Sequence, residues 1–452
     1  MLLVLLSCTR EAGELQRCSI DAPESTTLRV DGTELIDEHD RVVQLRGVNA
    51  GGRSKFAPYA PFEFEDYDEE LGPYLDRAAS WGIDVLRVPF SWEAVEPAQG
   101  VIDEAFLSRY DALLDGAWDR GMWTIVDFHQ DIYAEVFCGD GFPAWTVDTD
   151  REPHHDCSDW GSSYFLDDDV QAAFTDFWAD ENGTQEAYGA MWEAMAARHA
   201  DRPGVLGYEL INEPHEGEAS DWDTEVLPAF YSEHAARLQA IDDDAIVFFD
   251  VGGLDGISVS TDLELPEGDN LVFAPHYYNP QVYLGGSLEI DVPAEIAGWH
   301  DQGVDWDVPV LVGEFGVQPS REGAAEYVAR HFQAFDELDL HGTVWEYSTA
   351  EELWNEEDFS LVEADGTERE TVVSVMRPYA KALAGELVEQ SWSGGTFTLR
   401  YTAEPGGISE IVVPSRLAED PALQGSGACA RRSGDALYLK AEAGDVELRI
   451  EL

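Results

Sequence analysis

The chain has 452 residues, a length typical of two or three domains or of one large barrel with an addition. Hydrophobic residues make up 44% and aromatic residues 11% of the sequence, which is enough apolar material for a large core and excludes a disordered chain. The formal net charge is -66, with 92 acidic and 26 basic residues spread along the whole chain. Because phosphate binding needs clustered lysine and arginine, this balance excludes nucleic acid as a partner.

The first residues form an apolar run, MLLVLL, followed by Ser7 and Cys8. A run ending in Leu-Leu-Ser-Cys resembles the lipobox of a bacterial lipoprotein signal, in which the cysteine becomes the lipidated first residue of the mature protein. A chance leucine-rich start is the alternative. We interpret residues 1–27 as a signal or lipobox with a tether. We therefore expect an extracellular or cell-surface protein, with Cys8 as the candidate lipid attachment site.

Short apolar runs alternate with longer amphipathic segments, a pattern typical of a parallel sheet with crossover helices. Eight strand–helix units over about 340 residues predict an α/β protein with a (β/α)8 TIM barrel, here residues 28–383. The runs that predict its strands are Val42–Asn49, Val85–Trp92, Thr124–Asp131, Val205–Glu213, Ala245–Asp250, Leu271–Tyr278, Val308–Gly316 and Gly342–Ser348.

The pattern changes after residue 383. Four segments then alternate polar and apolar residues between glycine-rich turns: Thr396–Ala403, Ser409–Pro414, Ala436–Ala441 and Val446–Leu452. This alternation predicts a small antiparallel β-sandwich over residues 384–452. The sandwich could bind a membrane or a carbohydrate, or it could only support the barrel, and the sequence is consistent with both roles.

Polar and aromatic residues gather at the ends of the predicted barrel strands. A strand buried on both faces is apolar throughout, so these residues mark the C-terminal face of the barrel, where barrel enzymes hold their active sites. The strand-end residues are Asn49, Arg87, His129, Asn212, Glu213, His276, Tyr278, Glu314 and Trp345.

Two of these residues carry the chemistry of glycoside cleavage. Glu213 ends strand four in Leu-Ile-Asn-Glu-Pro, and Glu314 ends strand seven in Gly-Glu-Phe-Gly. The reaction needs two carboxyl groups flanking the bond, about 5–5.5 Å apart in a retaining enzyme, and strands four and seven face each other across a barrel. The alternative, two surface carboxylates, fits poorly with their apolar strand contexts. We predict that Glu213 is the acid/base and Glu314 the nucleophile.

Asn-Glu-Pro after an aliphatic strand, followed by Gly-Glu-Phe-Gly, resembles glycoside hydrolase family 5. The resemblance covers residues 40–380 and includes RVPFSWEAVEP, DFHQD, APHYY and VWEYS. Within that family the chain most resembles the bacterial endoglycoceramidases, through SWEAVEPAQGVID, DFHQDIY, GDGFPAW, Asn49 followed by Lys55, and the C-terminal sandwich. Two features depart from that group: a shorter segment between Tyr133 and Gly139, and Trp-Glu-Tyr-Ser in place of Trp-Ser-Ser. Both concern the sugar or lipid site, so the preferred headgroup stays open.

The resemblance implies a substrate-binding set. In it, Arg87 and Tyr278 stabilise the ionised nucleophile, Asn212 binds the sugar 2-hydroxyl, and Trp345 is a platform for the sugar ring. The charged and histidine members of the set are Lys55, His129, Asp131 and His276. The alternative for Lys55 is a loop cation without a role in binding. The alternative for His129 and His276 is a core histidine whose hydrogen bonds are satisfied within the protein.

The implied function is hydrolysis of the bond between an intact glycan and ceramide. A β-1,4-glucanase or mannanase, a steryl-β-glucosidase of the same family and a non-catalytic glycolipid-binding protein are the alternatives. No cofactor or metal is implied. The expected partner is a glycolipid at a membrane surface or micelle, and we expect a monomer with no obligate protein partner.

The loop after strand three carries two further predictions. Phe137, Phe142 and Trp145 are candidates for an apolar groove that holds the lipid, although a hydrophobic anchor for the loop is nearly as consistent with them. Cys138 and Cys157 flank the same loop, and we expect them to form a disulfide in an exported protein, with two free thiols as the alternative.

Overall fold

The computed structural model describes residues 13–253 and 255–452. The candidate lipid attachment site, Cys8, lies outside these residues. No helix in the described part of the chain is long and apolar enough to cross a membrane. The described residues begin with five short strands: β1 (Gly13–Glu14), β2 (Gln16–Arg17), β3 (Leu28–Asp31), β4 (Glu34–Asp37) and β5 (Val42–Val43).

The next eight strands form the predicted parallel barrel, in the order β11-β10-β9-β8-β7-β6-β13-β12. The ends of the sheet meet where Phe273 pairs in parallel with Val310, which closes the barrel. The strands are β6 (Arg46–Asn49), β7 (Val85–Phe90), β8 (Trp123–Phe128), β9 (Val205–Glu209), β10 (Ile246–Phe249), β11 (Leu271–Phe273), β12 (Leu311–Val312) and β13 (His341–Val344).

Seven long helices follow barrel strands or connect them, and their apolar faces pack on the outside of the sheet. They are α1 (Tyr67–Ser80), α2 (Glu104–Trp118), α3 (Asp168–Trp178), α4 (Thr184–His199), α5 (Leu227–Gln239), α6 (Val292–Trp306) and α7 (Ala324–Leu338).

Shorter helical turns lie in the loops at both faces of the barrel. These turns are Gly52–Lys55, Trp92–Val95, Glu135–Phe137, Ala144–Thr146, Trp160–Ser162, Ser163–Leu166, Glu181–Gly183, Trp222–Val226, Asp255–Ser258, Pro280–Tyr283, Trp354–Glu356 and Val372–Val375.

The last eight strands form the C-terminal sandwich, whose core includes Phe397, Leu399, Leu439 and Ile450. One sheet has the order β1-β18-β21-β16-β15 and the other β2-β19-β20-β17-β14-β5-β4-β3. The strands are β14 (Tyr379–Leu383), β15 (Gly385–Ser393), β16 (Thr396–Ala403), β17 (Ile408–Val412), β18 (Ala422–Ser426), β19 (Ala428–Ser433), β20 (Ala436–Ala441) and β21 (Gly444–Glu451).

The N-terminal segment belongs to this sandwich. Strands β1 and β2 pair with β18 and β19, Leu15 is buried in the sandwich core, and a disulfide joins Cys18 to Cys429. The prediction that residues 1–27 form only a signal and a tether is therefore wrong for residues 13–27. The sequence could not indicate this pairing, because the two cysteines are 411 residues apart and two-residue strands have no measurable period.

The predicted domain boundaries at residues 28 and 383 are also wrong. Strands β3 to β5 precede the barrel, and β14 ends at Leu383, yet all four lie in the second sheet of the sandwich. Residues Val42–Val43, predicted as the start of the first barrel strand, pair with β4 and β14 instead. Alternation within a strand does not say which sheet the strand joins, so the sequence placed these strands in the barrel.

Candidate active site

A cavity of about 540 Å³ opens among the loops that follow the barrel strands. Its volume lies in the range of small-molecule sites. The residues that line it are Lys55, Asp131, Ser158, Trp160, Gly161, Tyr164, Phe165, Asn212, Glu213, His215, Gly253, Tyr278, Pro280, Tyr283, Leu284, Glu314, Gln318, Ser320, Trp345, Asn355, Glu356, Glu357, Asp358 and Phe359.

Glu213 and Glu314 lie next to each other in this cavity. One carboxylate oxygen of each residue and a ring nitrogen of His276 are all within 4.8 Å of one another. Glu213 follows β9 and Glu314 follows β12, so the barrel brings together two residues that are far apart in the sequence. Carboxyl groups this close match the spacing of a retaining glycosidase and leave no room for the water that an inverting enzyme places between them.

Glu314 accepts hydrogen bonds from two neighbours. Arg87 Nη1 donates a hydrogen bond to its Oε1 at 2.7 Å, and the Tyr278 hydroxyl donates one to its Oε2 at 3.0 Å. Its side chain is 7% exposed, so the carboxylate can meet a substrate in the cavity while its charge stays compensated. Burial, followed by the charge of Glu314, raises the pKa of Tyr278 well above its ordinary value, which keeps the hydroxyl a donor.

Arg87 is the centre of a buried charge network. Its guanidinium donates to both oxygens of Glu209 at 2.7 Å, lies 3.1 Å from Asp127 and also donates to the side-chain oxygens of Asn49 and Asn212. Burial alone would lower the pKa of Arg87, but the charges of Asp127 and Glu209 raise it instead. This network fixes the orientation of the guanidinium toward Glu314.

Glu213 is arranged to hold a proton near neutral pH. Burial, then the charge of Asp131, raises its pKa to about 7. His276 Nδ1 lies 2.8 Å from its Oε1, and burial lowers the pKa of this histidine to about 4, so the ring is neutral. A neutral partner does not force Glu213 to ionise, as a cation at that position would.

The backbone at Glu213 adopts an unusual conformation, with φ of 38°. Its N–H donates to Asp250 Oδ2 at 3.1 Å, and its carbonyl accepts from Gln130 Nε2 at 2.9 Å. A left-handed backbone at a non-glycine residue costs about 1–3 kcal/mol and is typical of functional sites. These two hydrogen bonds hold the strained residue so that its carboxyl group faces Glu314.

A second charged group lies on the other side of the cavity. Lys55 Nζ is 2.6 Å from Asp131 Oδ2, and His129 Nε2 is 3.6 Å from the same oxygen. Burial disfavours the charged form of His129, but hydrogen bonds to Asp127 and Asp131 raise its pKa to about 10. Trp345 stacks on the His129 ring, with ring centroids 5.1 Å apart, and also lines the cavity.

The structure divides the predicted substrate-binding residues into two groups. Lys55, Asp131, Asn212, Tyr278 and Trp345 line the cavity. The other three, Arg87, His129 and His276, are at most 2% exposed and do not line it. The barrel buries these three behind the carboxyl groups that they hydrogen-bond, so their place in the substrate-binding set stays a prediction, whereas Arg87 makes the predicted contact with Glu314.

The predicted lipid groove is also wrong. Phe142 is fully buried and stacks on Tyr133, Phe137 is 4% exposed, and the Trp145 indole packs on Trp92. None of the three predicted groove residues lines the cavity, because the loop after β8 folds back onto the outer helices. The structure agrees with the alternative, in which these residues anchor the loop.

Exposed apolar residues at the cavity come from two other segments. Phe165 is 52% exposed, Tyr283 is 56% exposed and Leu284 is 84% exposed. We call these three residues the apolar rim. Sequence reasoning missed them because they lie in or next to helical turns of only four residues, which are too short for a period that would assign an apolar residue to a surface or a core.

Cys138 and Cys157 form a disulfide. The side chain of Asn355 accepts from the N–H of Cys157 at 2.8 Å and donates to the carbonyl of Cys138 at 2.7 Å. The segment that follows Cys157 carries Trp160 and Phe165, so the disulfide fixes one wall of the cavity.

Sequence reasoning also missed four carboxylates around the site: Asp127, Glu209, Asp250 and Glu357. The first three are buried at or beside barrel strands, and Glu357 accepts a hydrogen bond from the Trp345 indole at 2.6 Å. A carboxylate inside an apolar run, as in WTIVDF and VLGYE, is the signal that could have found Asp127 and Glu209.

Two clusters have the ligand types of a metal site. Glu213, His276 and Glu314 form one, but Arg87 and Tyr278 already donate to both oxygens of Glu314. The other contains His154 with Cys138 and Cys157, whose sulfurs are joined to each other. Both arrangements therefore favour the contacts already present over metal coordination.

Comparison with known proteins agrees with this geometry. Residues 36–351 match the family described as cellulase (glycosyl hydrolase family 5). A barrel with two adjacent carboxyl groups at its C-terminal face is the arrangement of a retaining glycoside hydrolase. The chain belongs to glycosyl hydrolase family 5.

Relatives within the family are similar over part of their length. The chain is 35% identical to endoglycoceramidase I of Rhodococcus hoagii over 193 residues, which cover 42% of this chain and 38% of that protein. It is 27% identical to the endoglycoceramidase of Cyanea nozakii over 299 residues, 58% of each protein. The chain thus matches less than two thirds of the length of either relative.

A solved structure is similar over nearly the whole chain. Endo-glycoceramidase II from Rhodococcus sp., in complex with a five-membered iminocyclitol, has a TM-score of 0.76 and 25% sequence identity. The superposition covers 92% of this chain and 98% of that one, so it includes both the barrel and the sandwich.

Proposed function

We propose that this protein is a retaining endo-β-glycosidase that hydrolyses the bond between an intact glycan and the ceramide of a glycosphingolipid. The observation that carries the proposal is the pair Glu213 and Glu314, within 4.8 Å of each other in a cavity with an apolar rim. Family membership supports the reaction class, and the endoglycoceramidase relatives support the substrate class.

In the first step, a carboxylate oxygen of Glu314 attacks the anomeric carbon of the sugar. The bond between that carbon and the ceramide oxygen breaks, and Glu213 gives its proton to the leaving oxygen. The pKa of about 7 lets Glu213 carry this proton near neutral pH. Arg87 and Tyr278 donate hydrogen bonds to the two oxygens of Glu314 and so orient its carboxylate for the attack.

In the second step, water cleaves the glycosyl–Glu314 ester. Glu213, now ionised, takes a proton from the water as the oxygen attacks the anomeric carbon, and Glu314 leaves as a carboxylate. Asn212, which directly precedes Glu213, also lines the cavity, where its side-chain amide can donate to the sugar 2-hydroxyl. Both catalytic groups end in their starting protonation states, and the anomeric configuration is retained.

The apolar rim supports a lipid aglycone. Phe165, Tyr283 and Leu284 add exposed apolar surface to a cavity that Lys55, Asp131 and other charged residues also line. Exposed apolar surface of this kind is typical of a binding region for a membrane or a ligand. A polar pocket beside an apolar rim fits a molecule with a sugar at one end and hydrocarbon at the other.

The test is product analysis with a glycosphingolipid that carries a labelled ceramide, in a nonionic detergent. Wild type is compared with Glu314→Gln and with Glu442→Gln, which removes an exposed charge on the sandwich. We expect labelled ceramide and an intact oligosaccharide from wild type and Glu442→Gln but not from Glu314→Gln. Turnover of cello- or manno-oligosaccharides without ceramide release would overturn the lipid assignment. Release by Glu314→Gln at the wild-type rate would overturn the assigned mechanism.

We also propose that the protein is exported and acts outside the cell or at its surface. The Cys18–Cys429 and Cys138–Cys157 disulfides support this proposal, because disulfides persist in oxidising compartments. Lipid attachment at Cys8 remains part of the proposal. Mass spectrometry of the N-terminal peptide from the membrane fraction is the test, and a peptide with unmodified Cys8 from a secreted protein would contradict the anchor.

A further inference from the structure

The motif Trp-Glu-Tyr-Ser contains a buried carboxyl group, that of Glu346, which the proposed mechanism does not use. Glu346 is 2% exposed and directly follows Trp345. Its Oε2 accepts a hydrogen bond from the N–H of Gly52 at 2.8 Å and another from the Ser348 hydroxyl at 2.5 Å. The motif departs here from Trp-Ser-Ser, in which the residue after the tryptophan has no carboxyl group. Glu346 therefore joins the loop after β13 to the loop after β6.

The loop after β6 contains the helical turn Gly52–Lys55. The first N–H groups of such a turn have no acceptor within the turn itself. Glu346 accepts from the first of them directly, and the Ser348 hydroxyl that donates to Glu346 also accepts from the N–H of Arg53 at 3.2 Å. The contact is close, because a Cβ atom at Gly51 would lie 2.4 Å from Glu346 Oε2. The carboxyl group thus fixes the start of the turn.

Lys55 ends this turn and lines the cavity. Its Nζ lies 2.6 Å from Asp131 Oδ2 and 4.7 Å from the centroid of the Trp345 ring. Because a lysine ammonium group is carried on a long flexible stem, these contacts depend on where the backbone of the turn is held. Glu346 holds that backbone, and the residue before it packs against the ammonium group. It therefore connects two of the predicted sugar contacts, Lys55 and Trp345.

The contact does not depend on the charge of Glu346. Burial raises its pKa to about 7, although its hydrogen bonds with Ser348 and Gly52 lower the pKa. A protonated carboxyl group keeps one oxygen that can accept both hydrogen bonds, and so does the amide of a glutamine. We therefore expect Glu346→Gln to preserve the contact and Glu346→Ala to remove it.

We propose that Glu346 is a positioning residue for substrate binding, because it holds the turn that ends at Lys55 and so keeps this lysine and its partner Asp131 in place for the sugar. The inference rests on the proposed function in that the cavity binds a sugar, and it does not depend on ceramide as the leaving group. Other contacts hold Glu213 and Glu314. Loss of the Glu346 carboxyl group should therefore weaken substrate binding more than it slows the chemical step.

The first experiment measures kcat and KM for a soluble aryl β-glycoside in wild type, Glu346→Gln and Glu346→Ala. We expect Glu346→Ala to raise KM by about tenfold, the effect of losing one strong hydrogen bond, and to change kcat by less than about threefold. Glu346→Gln should stay close to wild type. A wild-type KM in Glu346→Ala, or an equal rise in Glu346→Gln, would overturn the proposal.

Gln390→Ala is the matched control for a loss of stability. Gln390 is 3% exposed, and its side chain accepts from the backbone N–H of Ala380 at 3.0 Å, within the sandwich. Both Gln390→Ala and Glu346→Ala should lower the urea midpoint, because each leaves a buried N–H group without its acceptor. Only Glu346→Ala should raise KM. The same rise in Gln390→Ala would show a merely structural effect and would overturn the positioning role.

A double-mutant cycle tests whether Glu346 acts through Lys55. Lys55→Met removes the ammonium group and keeps an unbranched side chain. In this background Glu346→Ala should add little to the rise in KM, because the group that it positions is already absent. A full effect of Glu346→Ala in both backgrounds would mean that the two residues act independently, which would contradict the proposal.

Hydrogen exchange measures the turn without any turnover and so separates this inference from the proposed function. We expect the N–H groups of Gly52 and Arg53 to exchange at least about tenfold faster in Glu346→Ala, and at the wild-type rate in Glu346→Gln and Gln390→Ala. This result would support the inference even if no glycolipid is cleaved, an outcome that would sink the endoglycosidase assignment alone. If Glu346→Ala does not fold, Ser348→Ala removes a single hydroxyl and should speed exchange at Arg53. Unchanged exchange at the turn would overturn the inference.

Discussion

His276 Nδ1 lies 2.8 Å from Oε1 of Glu213. The two groups differ in protonation behaviour, because burial raises the pKa of Glu213 to about 7 and lowers that of His276 to about 4. Between these values the carboxyl group carries a proton and the imidazole is neutral. The pair therefore holds one exchangeable proton beside Glu314, which is the state that the first step of the proposed reaction needs.

The pH dependence of the proposed reaction follows from this pair. Glu213 must be protonated at the start, so kcat/KM is expected to fall as the pH rises through about 7. His276 has already lost its proton above pH 4 and therefore does not contribute to the fall in kcat/KM near pH 7. Initial rates with a soluble aryl β-glycoside between pH 4 and 9 are the measurement, and kcat/KM reports the free enzyme. An alkaline limb above about pH 9 would contradict the assignment of Glu213.

Replacement of the nucleophile should remove activity while the fold is kept. We expect Glu314→Gln to lower kcat by at least about 10⁴-fold. Arg87 keeps Asp127 and Glu209 as partners in this variant, so its charge stays compensated. Circular dichroism and the urea midpoint should match wild type. A variant that keeps more than a few per cent of wild-type activity would exclude Glu314 as the nucleophile.

Replacement of Arg87 should act mainly by lowering the stability of the fold, not by removing a contact with the substrate. It is fully buried, and Arg87→Met would remove the cation that pairs with Glu209 and would leave Asp127 with His129 as its remaining partner. We expect the free energy of unfolding to fall by about 3–5 kcal/mol, with activity lost as well. Urea denaturation measures the first effect. The comparison variant is Arg400→Met on the exposed surface of the sandwich, for which we expect less than about 1 kcal/mol.

A variant of the apolar rim should distinguish the binding of the lipid from the cleavage of the glycosidic bond. Leu284 is 84% exposed, and in the proposed complex it packs against hydrocarbon. We expect Leu284→Ser to raise KM for a micellar glycolipid by about tenfold, because burial of a leucine side chain is worth about 1.5–3 kcal/mol. For a soluble aryl β-glycoside the change should be much smaller. Val388→Ser, at an exposed valine of the sandwich, is the control, and equal effects of both variants would remove the rim from lipid binding.

The N-terminal segment should stabilise the sandwich. Deleting residues 1–27 together with Cys429→Ser removes Leu15 from the sandwich core and the disulfide to Cys18. We expect the free energy of unfolding of the sandwich to fall by about 2–5 kcal/mol. The paired variant Cys18→Ser with Cys429→Ser keeps the strands and isolates the contribution of the disulfide. An unchanged urea midpoint in the deletion would mean that the segment is only a tether.

The pattern of the sequence was sufficient to predict the barrel and the two glutamates. All eight predicted barrel strands are present, because a strand buried on both faces must be an apolar run and its polar end must face the active site. Glu213 and Glu314 could be selected from 92 acidic residues because each ends such a strand and strands four and seven face each other across the barrel. The strand ends were less well predicted, and Val308–Gly316 contains only the two-residue strand Leu311–Val312.

The tertiary structure decided what the sequence left open. It placed Arg87, His129 and His276 behind the carboxyl groups, buried Phe137 and Phe142 of the predicted lipid groove, and exposed the apolar rim at the cavity. It also joined Cys18 to Cys429 and strands β1 to β5 to the sandwich. The physical reason is the same in each case. Periodicity and motifs report the local chain and the face that it buries, whereas the partner across a sheet, a loop or a cavity depends on packing between segments hundreds of residues apart.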